Sequence, residues 1–320
     1  MADVVAFGEL LIDFVPTLTG QDLAAAETFK KAAGGAPANV AVGLARLGVR
    51  SAFMGMVGDD GFGRFLAQTL SEAGVDVMPL RRTDKARTGL AFVSLRADGE
   101  REFLFYRSPS ADMLMTPDDV DEAAIRDARA FHFGSISLIA EPARSATLHA
   151  VEVARRHGRL VSYDPNLRLA LWPDAEAARA GMLAGLNEAE IVKIGAEELD
   201  FLTGDSDPLA AARRLWHDRL RLMAITRGSE GSHWMTPDDH GTVPGFQVTA
   251  VDTTGAGDAF MAGFLAGILQ GPALPEDRES LDAVCRMANA AGALTATGRG
   301  AIPSLPTRHA VEDLVRRSLE

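Results

Sequence analysis

Apolar residues along the chain fall into short unbroken runs separated by longer amphipathic stretches. Val4-Val5-Ala6-Phe7-Gly8 is apolar and β-prone throughout and reads as a buried strand. From Pro37 to Gly48 the apolar positions Val40, Ala41, Leu44 and Leu47 recur at helical spacing, and Gly48 supplies the stop. Residues 51–57 are again strand-like, 63–74 helical, and Val75-Asp76-Val77 reads as a further short strand. Phe131-His132-Phe133 and residues 160–163, 191–194 and 222–225 repeat the strand signal, with helical segments at 141–157, 175–186 and 208–217 between them. Short apolar strands alternating with helices predict an α/β fold, a mostly parallel central sheet flanked by helices on both faces. No linker, low-complexity tract or internal repeat interrupts residues 1–320, so a single domain is expected.

One region departs from that rhythm. Gly89 to Arg107 reads as a β-hairpin turning at Asp98-Gly99. Its partner is the excursion 14–33, which leaves the first strand and returns at Gly34-Gly35. The hairpin is apolar on both sides, with Phe92, Leu104 and Tyr106 on one and Val93, Phe103 and Phe105 on the other. A small surface sheet cannot leave both faces wet. Segments 14–33 and 89–107 are therefore expected to form a small β lid, one face over the active site and the other against a second subunit.

Composition narrows the classes of function. At 320 residues the chain is long enough to bury a sizeable core. The single cysteine, Cys285, cannot form an intramolecular disulfide, and with Val284 and Met287 beside it reads as a small buried side chain. A formal net charge of −12 argues against a general nucleic-acid or anionic-membrane binder, which would recruit partners through excess Lys and Arg. It leaves nucleotide binding open, because a few backbone amides and one or two cations suffice for a triphosphate. No apolar run is long enough to cross a bilayer, and Met1-Ala2-Asp3 lacks the basic stretch of a signal peptide, so a cytoplasmic location is expected.

The chemistry concentrates in Val251-Asp-Thr-Thr-Gly-Ala-Gly-Asp-Ala-Phe260, which precedes an apolar helix expected over 261–269. Gly255 and Gly257 let backbone amides turn toward an anion with no Cβ in the way. The helix that follows directs its own N-terminal amides at the same point. Asp258 sits in the mouth of that anion site, where the amides are expected to keep its carboxylate ionised and able to deprotonate an attacking hydroxyl. A dinucleotide loop would need a third glycine where Phe260 stands, and a Walker loop a Gly-Lys pair that the chain lacks.

This string resembles the signature of the ribokinase-like (PfkB) carbohydrate kinases. Gly34-Gly35-Ala-Pro-Ala-Asn39 resembles the family's sugar loop, and Gly55-Met-Val-Gly58-Asp59-Asp60-Gly-Phe-Gly63 a further landmark. Residues 105–114, 133–139, 162–168 and 171–173, with Gly300-Ala-Ile-Pro303, are similar to phrases of the family's fructokinase branch. The resemblance implies an ATP-dependent kinase acting on D-fructose, with fructose 6-phosphate as the expected product. It places Asp258 as the general base, and Gly255, Ala256 and Gly257 as amide donors to the transferring phosphoryl group. Asp13, Gly34, Gly35 and Asn39 would bind sugar hydroxyls, though Asn39 could instead make a helix-start hydrogen bond. Arg168 would reach the phosphate or sugar end, and Phe105 and Arg107 would line the sugar side of the hairpin. Lys193, Thr226, Gly228, Gly231 and Asn289 would serve ATP, Asn289 having a surface polar position as its alternative.

Magnesium is expected with ATP, with Glu198 acting on the hydrated ion. The family's asparagine three residues earlier is Gly195 here, which leaves Glu197 and Glu198 both open for that role. K⁺ is a family feature that Asp252 and Thr254 would hold, and Asp252 could instead simply cap the following turn. A homodimer through the lids is implied. Two other readings remain. The first is a kinase for the acidic sugar 2-keto-3-deoxygluconate, which would call for an arginine clamp at Arg107 or Arg168. The second is a sensor that keeps the fold without the chemistry.

Overall fold

The first apolar run is unbroken because its strand is buried on both faces. Val4 and Ala6 enter one hydrophobic core cluster, and Val5 and Phe7 the other. In this computed structural model, which describes residues 1–18, 22–95 and 101–318, both clusters lie against one sheet. The strands are β1 (Val4–Phe7), β2 (Leu11–Pro16), β3 (Phe29–Gly34), β4 (Ser51–Gly58), β5 (Leu80–Thr83), β6 (Leu90–Leu95) and β7 (Arg101–Tyr106). They continue as β8 (Ala130–Gly134), β9 (Leu160–Asp164), β10 (Ile191–Gly195), β11 (Leu222–Thr226), β12 (Gly231–Met235) and β13 (His240–Pro244).

The larger sheet has the order β13-β12-β11-β10-β9-β8-β1-β4-β5. Its pairs from β11 through β5 are all parallel, and β12 and β13 add an antiparallel edge. The chain winds from β1 to β4 and β5 on one side, then returns to β8 on the other. That reversal opens a crevice beyond the carboxyl ends of the parallel strands, where ligands of such sheets bind. Among the described residues no helix is long and apolar enough to cross a membrane.

The structure corrects the expected strand at 75–77. Only an isolated bridge, Ala52 to Asp76, forms there. The edge strand is β5, Leu80-Arg-Arg-Thr83, which pairs with β4 and carries no apolar run because one side of it is open to solvent. The helix expected from 261 begins earlier, at Ala256, so Gly257 and Asp258 lie in its first turn and not in a loop ahead of it.

Segments 14–33 and 89–107 meet in a second, four-stranded sheet of order β3-β2-β6-β7. Phe92 pairs with Leu104 and Leu90 with Tyr106, the expected hairpin register. The turn at 96–100 lies outside the described residues, as does the side chain of Phe103. Phe92 stacks on Phe14 at 5.0 Å and meets Phe29 edge-on at 5.3 Å, while Leu104 and Tyr106 on the same face stay 47% and 59% exposed. Asp13 and Phe105 both pair with Ala91 and so share the opposite face, which looks toward the crevice.

Candidate active site

The anion site is built by a glycine that must be a glycine. Gly255 sits at φ +80, and a Cβ there would lie 2.5 Å from the Ala301 Cβ. That left-handed residue turns the chain into the helix Ala256–Ile268, whose first-turn amides face the crevice. The Ala256 amide donates to the Thr253 carbonyl at 3.2 Å, so the donor role expected of it is already committed to the turn. At Gly257 a Cβ would stand 3.1 Å from Lys193 Nζ, which places a lysine ammonium directly over the glycine.

Asp258 is held by two amide side chains. Asn39 Nδ2 donates to its Oδ2 at 2.7 Å, and Asn166 Nδ2 to its Oδ1 at 3.4 Å. Asn39 therefore makes no helix-start hydrogen bond with its NH₂ group, and its buried Oδ1 has no partner. Burial raises the Asp258 pKa, outweighing the Asn39 bond and the positive charges of Lys193 and Arg168 that pull it down. Asp13, on the small sheet, is pushed up to about 7 by burial against the pull of Arg168, with Asp258 adding to the rise. A Cβ at Gly34 would collide with the Asp13 carboxylate, and one at Gly35, at φ +116, with the Glu9 carbonyl. Both sugar-loop glycines are thus required by close approach.

Lys193 enters from the middle of β10 and is paired with Asp164 at the end of β9, at 3.0 and 3.2 Å to the two carboxylate oxygens. Burial opposes the ammonium charge, yet Asp164, Glu198 and Asp258 around it raise its pKa above the ordinary lysine value. Glu198 Oε2 accepts from the Gly195 amide at 2.7 Å and Oε1 from the Leu167 amide at 2.7 Å, which ties β10 to the loop carrying Asn166 and Arg168. Glu197 is exposed and points away, so Glu198 is the member of this pair in the cluster.

A second group gathers around β11 to β13. Thr226 ends β11, Gly228 sits at φ +56, and Gly231, at φ +99, has no room for a Cβ beside Val243 and Gly245. Asn289 is buried and not a surface position. Its Nδ2 donates to the Val243 and Pro244 carbonyls at 3.2 Å each. Asp252 caps its own turn, accepting from the Thr254 amide and hydroxyl at 2.9 and 2.6 Å, and from the Gly300 amide at 2.8 Å. Arg107 is not in the Asp258 cluster. It is buried in a pair with Asp112.

Asp164, Asn166 and Glu9 are further polar residues of this region that no motif singles out. Asn166 is the non-glycine residue with positive φ, at 45°, among the described residues, and such strain clusters at functional sites. Its signal in the sequence was its place just past a strand end at the sheet's carboxyl edge.

Residues 1–308 match the profile of the pfkB family carbohydrate kinases. Fructokinase-1 of Zea mays is 52% identical over 316 residues, covering 98% of each chain. The crystal structure of a fructokinase with bound ATP from Xylella fastidiosa superposes with a TM-score of 0.91 at 38% identity, covering all of both chains. A double-mutant fructokinase of Vibrio cholerae O395, solved with fructose, ADP and potassium ion, gives 0.87 at 35% identity over 98% of each chain. The chain belongs to the pfkB family of carbohydrate kinases and has the ribokinase-like α/β fold.

Proposed function

We propose that this kinase transfers the γ-phosphoryl group of ATP to a hydroxyl of D-fructose, giving fructose 6-phosphate, with Asp258 as the general base. The observation that carries the reading is the arrangement around Asp258. A buried carboxylate with a raised pKa stands at a helix N-terminus, beside an asparagine whose Oδ1 lacks a partner. An orphaned buried acceptor calls for a ligand donor, and a sugar hydroxyl supplies one. The full-length similarity to fructokinases of plants and bacteria supports fructose as that sugar.

In this reading Asp13, Gly34, Gly35 and Asn39 seat the sugar, with Phe105 over it. Gly255, Gly257, Lys193 and Arg168 receive phosphoryl charge, and charge stabilisation with alignment is most of what such an enzyme does. Thr226, Gly228, Gly231 and Asn289 form the nucleotide end. Magnesium bound with ATP would supply charge neutralisation at the phosphates. Glu198 suits its water shell, because each carboxylate oxygen takes one backbone amide and keeps a lone pair free. The Asp252 oxygens hold the turn, so a K⁺ ion would rest on carbonyls such as that of Thr254, with Asp252 shaping the loop. The small sheet acts as a lid inserted in a single kinase domain, and exposed Leu104 and Tyr106 suit contact with a second copy.

ADP release in the presence of ATP and Mg²⁺ tests the substrate, with fructose, ribose, glucose, adenosine and 2-keto-3-deoxygluconate compared side by side. Fructose is expected to lead in kcat/KM. A preference for any of the others removes fructose, and turnover of none by folded, ATP-binding protein removes the enzyme. The pH profile tests the base. Asp258 must be ionised to accept a proton and its pKa is raised, so kcat/KM should climb with pH through a midpoint above the ~3.9 of a free aspartate. An acid limb centred at or below that value would contradict the assignment.

A further inference from the structure

Arg107 carries a charge that its own surroundings cancel. Its Nε donates to Asp112 Oδ2 at 3.1 Å, and Nη2 bonds the same oxygen. The two side chains are only 6% and 4% exposed. The Ser110 hydroxyl donates to Asp112 Oδ1, which fixes the carboxylate in place. Glu9, also buried, adds a second carboxylate that Arg107 feels electrostatically, while its Oε1 accepts from the Ala36 amide of the sugar loop. Asp112 is thus the carboxylate paired with the guanidinium, since burial pushes Glu9 up to about 7 and leaves it only partly ionised at neutral pH.

Arg107 is the charged residue lining an otherwise apolar cavity of about 60 Å³. The other walls are Met113, Ile136, Ile139 and Leu171, with Ala140 and Ala143. Ile136 follows β8, and Leu171 lies three residues beyond Arg168 in the loop after β9. The cavity therefore lies beyond the carboxyl ends of β8 and β9, the end of the sheet at which Asn166 meets Asp258. A lone arginine in an apolar wall would be a strong anchor for a ligand carboxylate.

We propose that Asp112 determines substrate specificity, by neutralising Arg107 so that this end of the sugar site admits an uncharged sugar and excludes a sugar acid. The inference rests on the reading of the chain as a fructose kinase. A carboxylate reaching Arg107 meets Asp112 already in place, and like charges brought together in a desolvated site discriminate strongly. A sugar hydroxyl brings no charge and can still accept from the remaining N–H groups of the guanidinium.

The decisive variant is Asp112→Asn, which keeps the shape and one acceptor but leaves the guanidinium charge uncancelled. The ratio of kcat/KM for 2-keto-3-deoxygluconate to that for fructose should rise by about tenfold or more. A ratio within about twofold of the parent's overturns the proposal. A measurement on the parent enzyme stands independently of whether the variant folds. With fructose as substrate, the neutral amide of 2-keto-3-deoxygluconate should inhibit at about a tenfold lower concentration than the acid itself. Equal or stronger inhibition by the acid also overturns it. The two failures are separable. A parent enzyme that uses the acid and not fructose overturns the functional reading, whereas one that uses fructose with the ratio unmoved in Asp112→Asn overturns only the role of Asp112.

Discussion

Asp258→Asn is expected to lower kcat by about 10²–10⁴-fold while ATP still binds. The amide matches the carboxylate in shape, so Asn39 can still donate to its oxygen and the helix start keeps its turn. What is lost is the site that takes the proton from the attacking hydroxyl. The group proposed for the nucleotide, Thr226, Gly228, Gly231 and Asn289, is gathered instead around β11 to β13. Single-turnover measurement of phosphoryl transfer, with ATP affinity by calorimetry, separates the two. Near-normal turnover would remove Asp258 from the base role, and loss of ATP affinity in step with turnover would show that the substitution had disturbed the helix start instead.

The sequence carried the fold wherever burial was symmetric. β1, β4, β8, β9, β10 and β11 are buried on both faces, so each leaves an apolar run of strand length. The edge strand β5 and the β12–β13 hairpin leave none or a mixed one. Half of an edge strand faces water or a neighbouring loop, as where Arg81 Nε donates to the Asp119 carbonyl at 3.0 Å. The site was legible where glycine and carboxylate types are forced by geometry. Gly255 must adopt a left-handed φ, and Gly34 and Gly35 must let Asp13 and the Glu9 backbone come close. Asp164 and Asn166 fall within 162–168, but nothing local distinguishes them from a strand end and its turn. Their partners, Lys193 and Asp258, lie 29 and 92 positions away in the chain. Pairings at such separation come from the sheet order, which brings β9 beside β10, and from the approach of the first turn of the Asp258 helix to Lys193 and Asn166. The direction of the Asp258 pKa shift is hidden from the sequence for a related reason. Its amide partners are visible locally, whereas the burial that outweighs them depends on the whole crevice.

The same sheet order makes Lys193→Met a test of stability and chemistry together. The substitution leaves Asp164, with 4% of its side chain exposed, without its ammonium partner. Removing one member of a buried pair costs about 3–5 kcal/mol. The lower end is expected, because burial already pushes Asp164 up to about 7 and without Lys193 it takes up a proton more readily still. The sign follows from linkage. A carboxyl whose pKa is raised on folding favours the folded state at low pH and loses that advantage as pH rises through the folded value. Lys193→Met should therefore be closest to its parent in acid and fall behind it toward neutral and alkaline pH in denaturant titrations. Adding Asp164→Leu removes the stranded carboxyl, and the double variant should return to within about 1 kcal/mol of the parent, since buried pairs are often replaceable by apolar side chains. Turnover should not return, because the ammonium over Gly257 is still missing from the phosphoryl site. A double variant as active as its parent would make Lys193 a structural partner of Asp164 and nothing more. One that stays unstable would mean that the pair anchors β9 to β10 in a way a leucine and a methionine cannot replace.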